Sequence, residues 1–328
     1  MSNRVRSHTV AVVVPVYQGE TTLSALLEDI EPLVRHAETP SGIPFRVREV
    51  VLVHDCGPDR SDVTIRTLAA AHSYVRPVWL SRNFGPHAAT LAGMRETTSD
   101  WIVTMDEDGQ HDPQAIGAML DVALAERSML VYAAPTNKPP HGPFRNVTSR
   151  LAHALARAMN AGRLPHFHSF RLIMGDVGRA LVPLCGESVY LDVAMTWVIS
   201  EGSTCPVAMR TERGRASGFS KRRLAAHFWR MVLTSGTRPL RLVTFAGLFL
   251  AALAASLTGW VVWAKFRHGV PVQGWTSVTV LLLVTTGVIL FSIGILAEYL
   301  GVVARFAMGK PLFLTVPDPS LSPLGESD

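Results

Sequence analysis

Cysteine is scarce in this chain and follows no pattern: Cys56, Cys185 and Cys205 are scattered, and no Cys-x-x-Cys occurs. That excludes a disulfide framework and a thiolate zinc site and leaves three reduced thiols as the expectation. A Gly-x-Gly-x-x-Gly fingerprint and a Walker loop are also missing, which argues against dinucleotide binding and ATP hydrolysis. There is no His-Glu-x-x-His zinc helix and no Gly-x-Ser-x-Gly elbow. The first apolar stretch, Val10 to Val16, is too short for a signal peptide and lacks a small-residue cleavage site. Charge itself is absent from two long runs. Leu242 to Ala264 and Val270 to Ala297 contain no Asp, Glu, Lys or Arg, and each exceeds the roughly 20 residues that cross a bilayer core. Two transmembrane helices are therefore expected.

What is present surrounds those runs in an ordered way. Lys221, Arg222, Arg223, Arg230, Arg238 and Arg241 precede the first, Arg305 and Lys310 follow the second, and only Lys265 and Arg267 lie between. The positive-inside rule then places both termini in the cytoplasm, where the sequon Asn146-Val-Thr148 never meets glycosylation machinery. Trp260, Trp263, Trp275 and Tyr299 sit near the span ends as interface anchors. Lys221 to Leu240 interleaves Leu224, Phe228, Trp229, Met231 and Val232 with arginines, the pattern of an interfacial helix. The net charge of +5 is modest, and its clustering near the spans favours membrane lipid over nucleic acid. The expected organisation is a catalytic domain over residues 1–220, a basic amphipathic segment over 221–240, a two-helix hairpin over 241–304 and a cytoplasmic tail over 305–328.

The first part alternates strand and helix signals. Val10 to Val14 is an apolar run, Thr21 to Arg35 places Leu23, Leu26, Leu27, Ile30 and Val34 at helical spacing, and Val47 to Val53 is a second β-branched run. Ser61 to Ala71 is helical, a short strand ends at Leu80, a helix starts near His87, and Trp101 to Met105 is the next strand. This rhythm predicts an α/β, Rossmann-like, mostly parallel sheet whose ligands bind beyond the carboxyl ends of the strands. Four polar clusters fall there: Pro15 to Glu20, His54 to Asp59, Arg82 to Gly85, and Asp106 to Pro113. Asp106 and Asp108 share one side of an extended segment. Two carboxylates so close need a cation to remain ionised, and with the amide oxygen of Gln110 they form a hard-oxygen set suited to Mg2+ or Mn2+. Asp112, before Pro113, reads as a helix cap. Tyr17 offers an aromatic face, Asp55 an acceptor for a base or ribose, and Arg82 a phosphate partner.

The ordered set Pro15-x-Tyr17, Val53-x-Asp55 with Asp59, Ser81-Arg-Asn-Phe-Gly85 and Asp106-x-Asp108-x-Gln110 resembles the family 2 inverting glycosyltransferases of GT-A fold. It is most similar to their polyprenyl-phosphate branch, which holds dolichol-phosphate mannose synthases and bacterial undecaprenyl-phosphate glycosyltransferases. Ser169-Phe-Arg-Leu172, Tyr190-Leu-Asp192 and Pro239-Leu-Arg241 extend the match over nearly the whole chain. The resemblance implies transfer of a sugar from a nucleotide-sugar, UDP-linked or alternatively GDP-mannose, to a polyprenyl phosphate at a membrane. It implies that Pro15, Tyr17, Glu20, Asp55, Arg82 and Asp106 bind the nucleotide and that Asp106, Asp108 and Gln110 hold the metal. Arg145, Ser149, Arg171, Arg213 and Ser217 are implied at the acceptor phosphate, with Arg145 joining Asp106 and Asp108 in catalysis. A homo-oligomer is expected on the same ground. The chain departs from the family at Gln18-Gly19, where Asn-Glu is usual, at Cys56, where a glycine is usual, and at Phe219, where a tyrosine is usual. A processive polysaccharide synthase shares the metal motif but carries a Gln-x-x-Arg-Trp element, and this chain reads His227-Phe-Trp229-Arg230. A non-catalytic lipid-binding scaffold is the remaining alternative and predicts no nucleotide binding.

Overall fold

The structure is a computed structural model that describes residues 7–137, 168–185, 191–210, 274–307 and 311–321, with scattered positions between 249 and 267. The chain divides into two compact units, residues 1–224 with 311–328, and residues 225–310.

The first unit is built on a nine-stranded sheet. Its opening half follows the alternation expected from sequence: β1 (His8–Val16), α1 (Leu23–Ile30), α2 (Pro32–Arg35), β2 (Ala37–Glu38), β3 (Pro44–His54), α3 (Ser61–Ala71), β4 (Val75–Leu80), α4 (Pro86–Glu96) and β5 (Trp101–Thr104). The helix expected over residues 21–35 is two pieces, because Pro32 has no N–H and opens a second helix after Glu31. Then follow α5 (Ala115–Ala125), β6 (Leu130–Pro135), β7 (Arg171–Met174), α6 (Gly175–Leu181), α7 (Leu191–Val198) and β8 (Ser203–Val207). A final short strand, β9 (Thr315–Val316), comes from beyond the apolar helix described below.

Strand order is β8-β6-β7-β5-β1-β3-β4-β9, with β2 beside β3. β1 is parallel to β3 and β5, β3 to β4, and β6 to β8; β7 and β9 run antiparallel to their neighbours. The sheet is thus mixed and mostly parallel in its centre. Valines alternate between its two faces: Val10, Val12, Val14 and Val16 join the core under α1 and α5, while Val13 joins the core under α4. From β1 the chain winds outward through β3 and β4, then returns to lay β5 on the other side of β1. The topological switch point lies between β1 and β5, the place where open α/β sheets bind ligands.

The segment expected as a tail is part of this unit. Leu312 and Phe313 pack against the α4-side core, Leu314 O accepts from Ser81 N (3.0 Å), and β9 closes the open edge of β4. Arg66 Nε donates to both oxygens of Asp318 at 3.0 Å and its guanidinium lies 4.8 Å over Trp79. Arg95 donates to Thr315 Oγ1 (2.9 Å) and covers Phe313 at 4.8 Å.

In the second unit α8 (Trp275–Ala307) runs for 33 residues, about 50 Å at 1.5 Å per residue. It holds the one apolar stretch among the described residues that is long enough to cross a bilayer, Val284–Gly301. Of the other expected span, Leu242 to Ala264, only isolated positions are described. They are helical, and Ser256 Oγ donates to Ala252 O (2.8 Å) as in a helix turn. The interfacial segment 221–240 lies outside the described residues.

Candidate functional site

Three loops meet beyond the carboxyl ends of β1, β3 and β5. After β5 the chain turns sharply, and Asp108 Oδ1 accepts from Gln110 N (3.0 Å), fixing the turn that carries Asp106, Asp108 and Gln110. Asp106 is held from beneath. Ser169 Oγ donates to its Oδ2 (2.7 Å), and its own N–H donates to Nδ1 of His111 (3.0 Å), a ring that is 2% exposed and stacks 4.9 Å from Phe170. Because Nδ1 accepts, the His111 proton resides on Nε2, and burial keeps the ring neutral by lowering its pKa. Burial also raises the Asp108 carboxyl, and the neighbouring Asp106 charge adds to that rise while Gln110 N–H opposes it. Next to this turn His168, packed 5.7 Å from His111, is driven down to about 4 by burial and by that neighbour.

This donor set fits a hard divalent cation. Two carboxylates and an amide oxygen are suitable ligands. Among the described residues no three His, Cys, Asp or Glu side chains converge on one point, so an ion held here would need further ligands from substrate or water.

The loop after β1 faces the turn. Tyr17 is 43% exposed, open for stacking. Its carbonyl is approached so closely by Gly57 that a Cβ there would fall 1.5 Å from Tyr17 O, so only glycine lets the β3 loop lie against the β1 loop. Gly19 N donates to Ser61 Oγ (2.8 Å) and Glu20 N to Asp59 Oδ2 (3.1 Å). Glu20, expected at the nucleotide, has its Oε2 on Arg60 N (3.1 Å) and braces the two loops. Asp55 is 2% exposed, and its two oxygens accept from Phe84 N (2.7 Å) and Gly85 N (2.8 Å). Burial raises its pKa, and those two N–H groups pull it back. In this position Asp55 shapes the Ser81 to Gly85 loop. From that loop Arg82 extends outward, its guanidinium 4.1 Å over Phe84.

Of the residues expected at the acceptor phosphate, Arg171 requires correction. It is 6% exposed, paired with Asp192, and its Nε donates to Thr104 Oγ1 (3.1 Å). Tyr132 Oη donates to the same Asp192 oxygen (3.0 Å). Arg171 is therefore enclosed by β5, β6 and α7 as an internal ion pair. Arg145, Ser149, Arg213 and Ser217 lie outside the described residues. The chain leaves the described part beside the Asp106 to Gln110 turn, where Arg210 N donates to Gln110 O (2.9 Å) and the Arg210 side chain spans Asp29 and Asp112. Asp112, read from sequence as a cap, accepts from Gln114 N (3.0 Å) as well as from Arg210.

Sequence reasoning missed Glu107, His111 and Ser169. The extended segment expected over Asp106 to Asp108 is a turn beyond the end of β5 at Thr104, so strand alternation gives no signal for Glu107.

The fold and site together define a nucleotide-binding α/β domain of the GT-A kind, with a paired-carboxylate turn at its switch point. The chain belongs to glycosyl transferase family 2, whose model matches residues 11–175. A second family model, the GtrB C-terminal hairpin, matches residues 238–303. Among similar proteins, the bactoprenol glucosyl transferase of Shigella phage SfX is 26% identical over 310 residues, covering 93% of this chain and 98% of its own. The undecaprenyl-phosphate 4-deoxy-4-formamido-L-arabinose transferase of Pseudomonas fluorescens is 26% identical over 313 residues, covering 93% and 88%. Among solved structures, glucosyl-3-phosphoglycerate synthase from Mycobacterium tuberculosis, in complex with Mn2+, UDP-glucose and phosphoglyceric acid, shares the fold. It has 20% identity and a TM-score of 0.50, over 70% of this chain and 78% of that one.

Proposed function

We propose that this enzyme transfers a sugar from a nucleotide-sugar to a polyprenyl phosphate, with inversion and with the help of Mg2+ or Mn2+, at the cytoplasmic face of a membrane. The observation that carries the reading is the Asp106–Asp108 turn at the switch point of a family 2 domain, joined to a segment that matches the hairpin family. The similarity to a bactoprenol glucosyl transferase and to an undecaprenyl-phosphate transferase, each over most of both chains, supports the lipid phosphate as acceptor. A UDP-hexose is the favoured donor and UDP-glucose the first to test, with GDP-mannose the alternative.

Asp106, Asp108 and Gln110 would hold the cation, which supplies Lewis-acid stabilisation of the departing nucleoside diphosphate. Tyr17 stacks on the base and Arg82 pairs with phosphate. Arg145 and Ser149, on one face of an expected helix, with Arg213 and Ser217, orient the acceptor phosphate and reduce repulsion between two anionic substrates. A phosphate monoester with a second pKa near 6 is already ionised at neutral pH, so its oxygen attacks the anomeric carbon without a protein base. The pair of Asp192 with Arg171 agrees with that: Asp192 is occupied in an internal contact.

Connectivity supports a membrane topology with both ends on one side, because residues 311–321 form part of the same unit as the N-terminal domain. That supports two spans, Leu242 to Ala264 and the apolar part of α8, with both ends cytoplasmic.

The test is incubation of the purified protein with polyprenyl phosphate and a panel of nucleotide-sugars, with and without Mg2+ or Mn2+. One donor yielding a glycosylated lipid phosphate is expected. Release of free nucleoside diphosphate with no lipid product would sink the acceptor assignment.

A further inference from the structure

The residue between the two metal-side aspartates has its own partners. Glu107 is largely buried, and its carboxylate reaches across the switch point: Oε2 accepts from Tyr17 N (3.0 Å) and Oε1 from Gln18 N (3.0 Å). The two oxygens thus engage two successive backbone N–H groups of the loop after β1, as an anion does in a backbone nest. Space for it is reserved, since a Cβ on Gly19 would lie 2.8 Å from Glu107 Oε2. Among the described residues these are two side-chain contacts that join the β1 loop directly to the turn after β5. The β1 loop is tied to the β3 loop through Ser61, Asp59 and Glu20, but to the metal turn through Glu107.

We infer that Glu107 is a positioning residue that sets the distance between the two ends of the donor site, Tyr17 at the base and Asp106 and Asp108 at the diphosphate. A nucleotide spans both ends at once. Its affinity for a site whose ends are fixed exceeds that for a site whose ends drift, because ordering the loop is then not charged to binding. The glutamate is suited to this role and alanine is not, since each of its oxygens accepts a hydrogen bond from a backbone N–H of the β1 loop. The inference rests on the nucleotide-sugar reading of the site.

The test is calorimetric binding of nucleoside diphosphate plus Mn2+ to the full-length protein and to Glu107→Gln and Glu107→Ala, with donor and acceptor KM, kcat and melting temperature measured beside it. Glutamine keeps one carbonyl acceptor and loses the other, so it should weaken binding about 3- to 10-fold, the worth of one hydrogen bond, and alanine more. Donor KM should rise in parallel, acceptor KM should stay within about 2-fold, and the ranking wild type, Gln, Ala should hold. A role confined to folding would lower melting temperature and kcat and leave the nucleotide Kd of the folded fraction alone, which would overturn the inference. So would equal affinity in all three proteins. Absence of nucleotide binding by the wild type would instead overturn the donor reading on which the inference stands.

Discussion

Replacing Asp192 by Asn would strip the Arg171 guanidinium of its counter-charge while leaving a similar shape. Arg171 has 8% of its side chain exposed, so the uncompensated cation cannot turn to water, whereas 27% of the Asp192 side chain is open. Breaking a buried pair from one side costs about 3–5 kcal/mol. Because solvent reaches one partner, and because Asn still accepts from Tyr132 Oη, the expected loss falls to about 2–3 kcal/mol. For a domain of this size that is a melting temperature lower by about 4–12 °C. Calorimetry of the full chain in detergent would measure it, and the double variant Arg171→Met with Asp192→Asn should recover part of the loss, since removing both charges also removes the desolvation cost. Transfer per folded molecule should change by less than about 3-fold, against the 10²–10⁴ expected for loss of a general base. An Asp192→Asn protein that melts like the wild type but loses activity a hundredfold would refute the reasoning, because Asp192 would then act on substrate.

The returning C-terminal segment should be acid-labile. Burial pushes the Asp318 carboxyl up, but the Arg66 guanidinium outweighs it and holds Asp318, like Asp62, below the usual carboxylate range. A depressed folded pKa gives stability that is complete above the unfolded value near 3.9 and lost as pH falls through the folded one. Exchange protection of the Leu314 to Asp318 amides, corrected for intrinsic rate, should hold from pH 7 to 5 and fall below about pH 4, while Asp318→Asn should show reduced protection throughout. Cys185 is buried and its thiol is pushed up to about 12 by that burial, so a pH 8 alkylating agent should leave it unmodified until the protein is denatured. Mass spectrometry of the native and unfolded protein after alkylation checks this.

The strands β1, β3, β4 and β5 and the helices between them were legible because β-branched runs and helical spacing are local signals, whereas β2 and the break at Pro32 were not. Val10 to Val14 needs only its own neighbours to be a buried strand. The strands from β6 onward were not, since β7 and β9 are short and acquire strand geometry by pairing antiparallel with β5 and β4, partners far away in sequence. The tail was misjudged for the same reason: Leu312, Phe313 and Asp318 look like ordinary tail residues until Arg66 and Arg95 are found beside them. At the site, Asp106, Asp108 and Gln110 stood out as a polar cluster after an apolar strand, although the extended segment expected there is a turn. Arg171 did not, because an arginine in a strand reads as a surface cation unless its partner, 21 residues on, is known to face it. Glu20 and Asp55 were expected at the nucleotide, and the structure adds backbone partners that the sequence did not indicate.

The proposed reaction is a metal-assisted transfer to a lipid phosphate at the Asp108 turn. Its most direct measurement incubates wild type and Asp108→Asn with undecaprenyl phosphate, labelled nucleotide-sugar and Mn2+, and repeats the wild-type reaction in excess EDTA. A single glycosylated lipid phosphate of inverted anomeric configuration is expected, lost with EDTA and reduced about 10²–10³-fold by the substitution, in line with removal of one transition-state charge stabiliser. Undiminished product in EDTA, or from Asp108→Asn, would contradict the account.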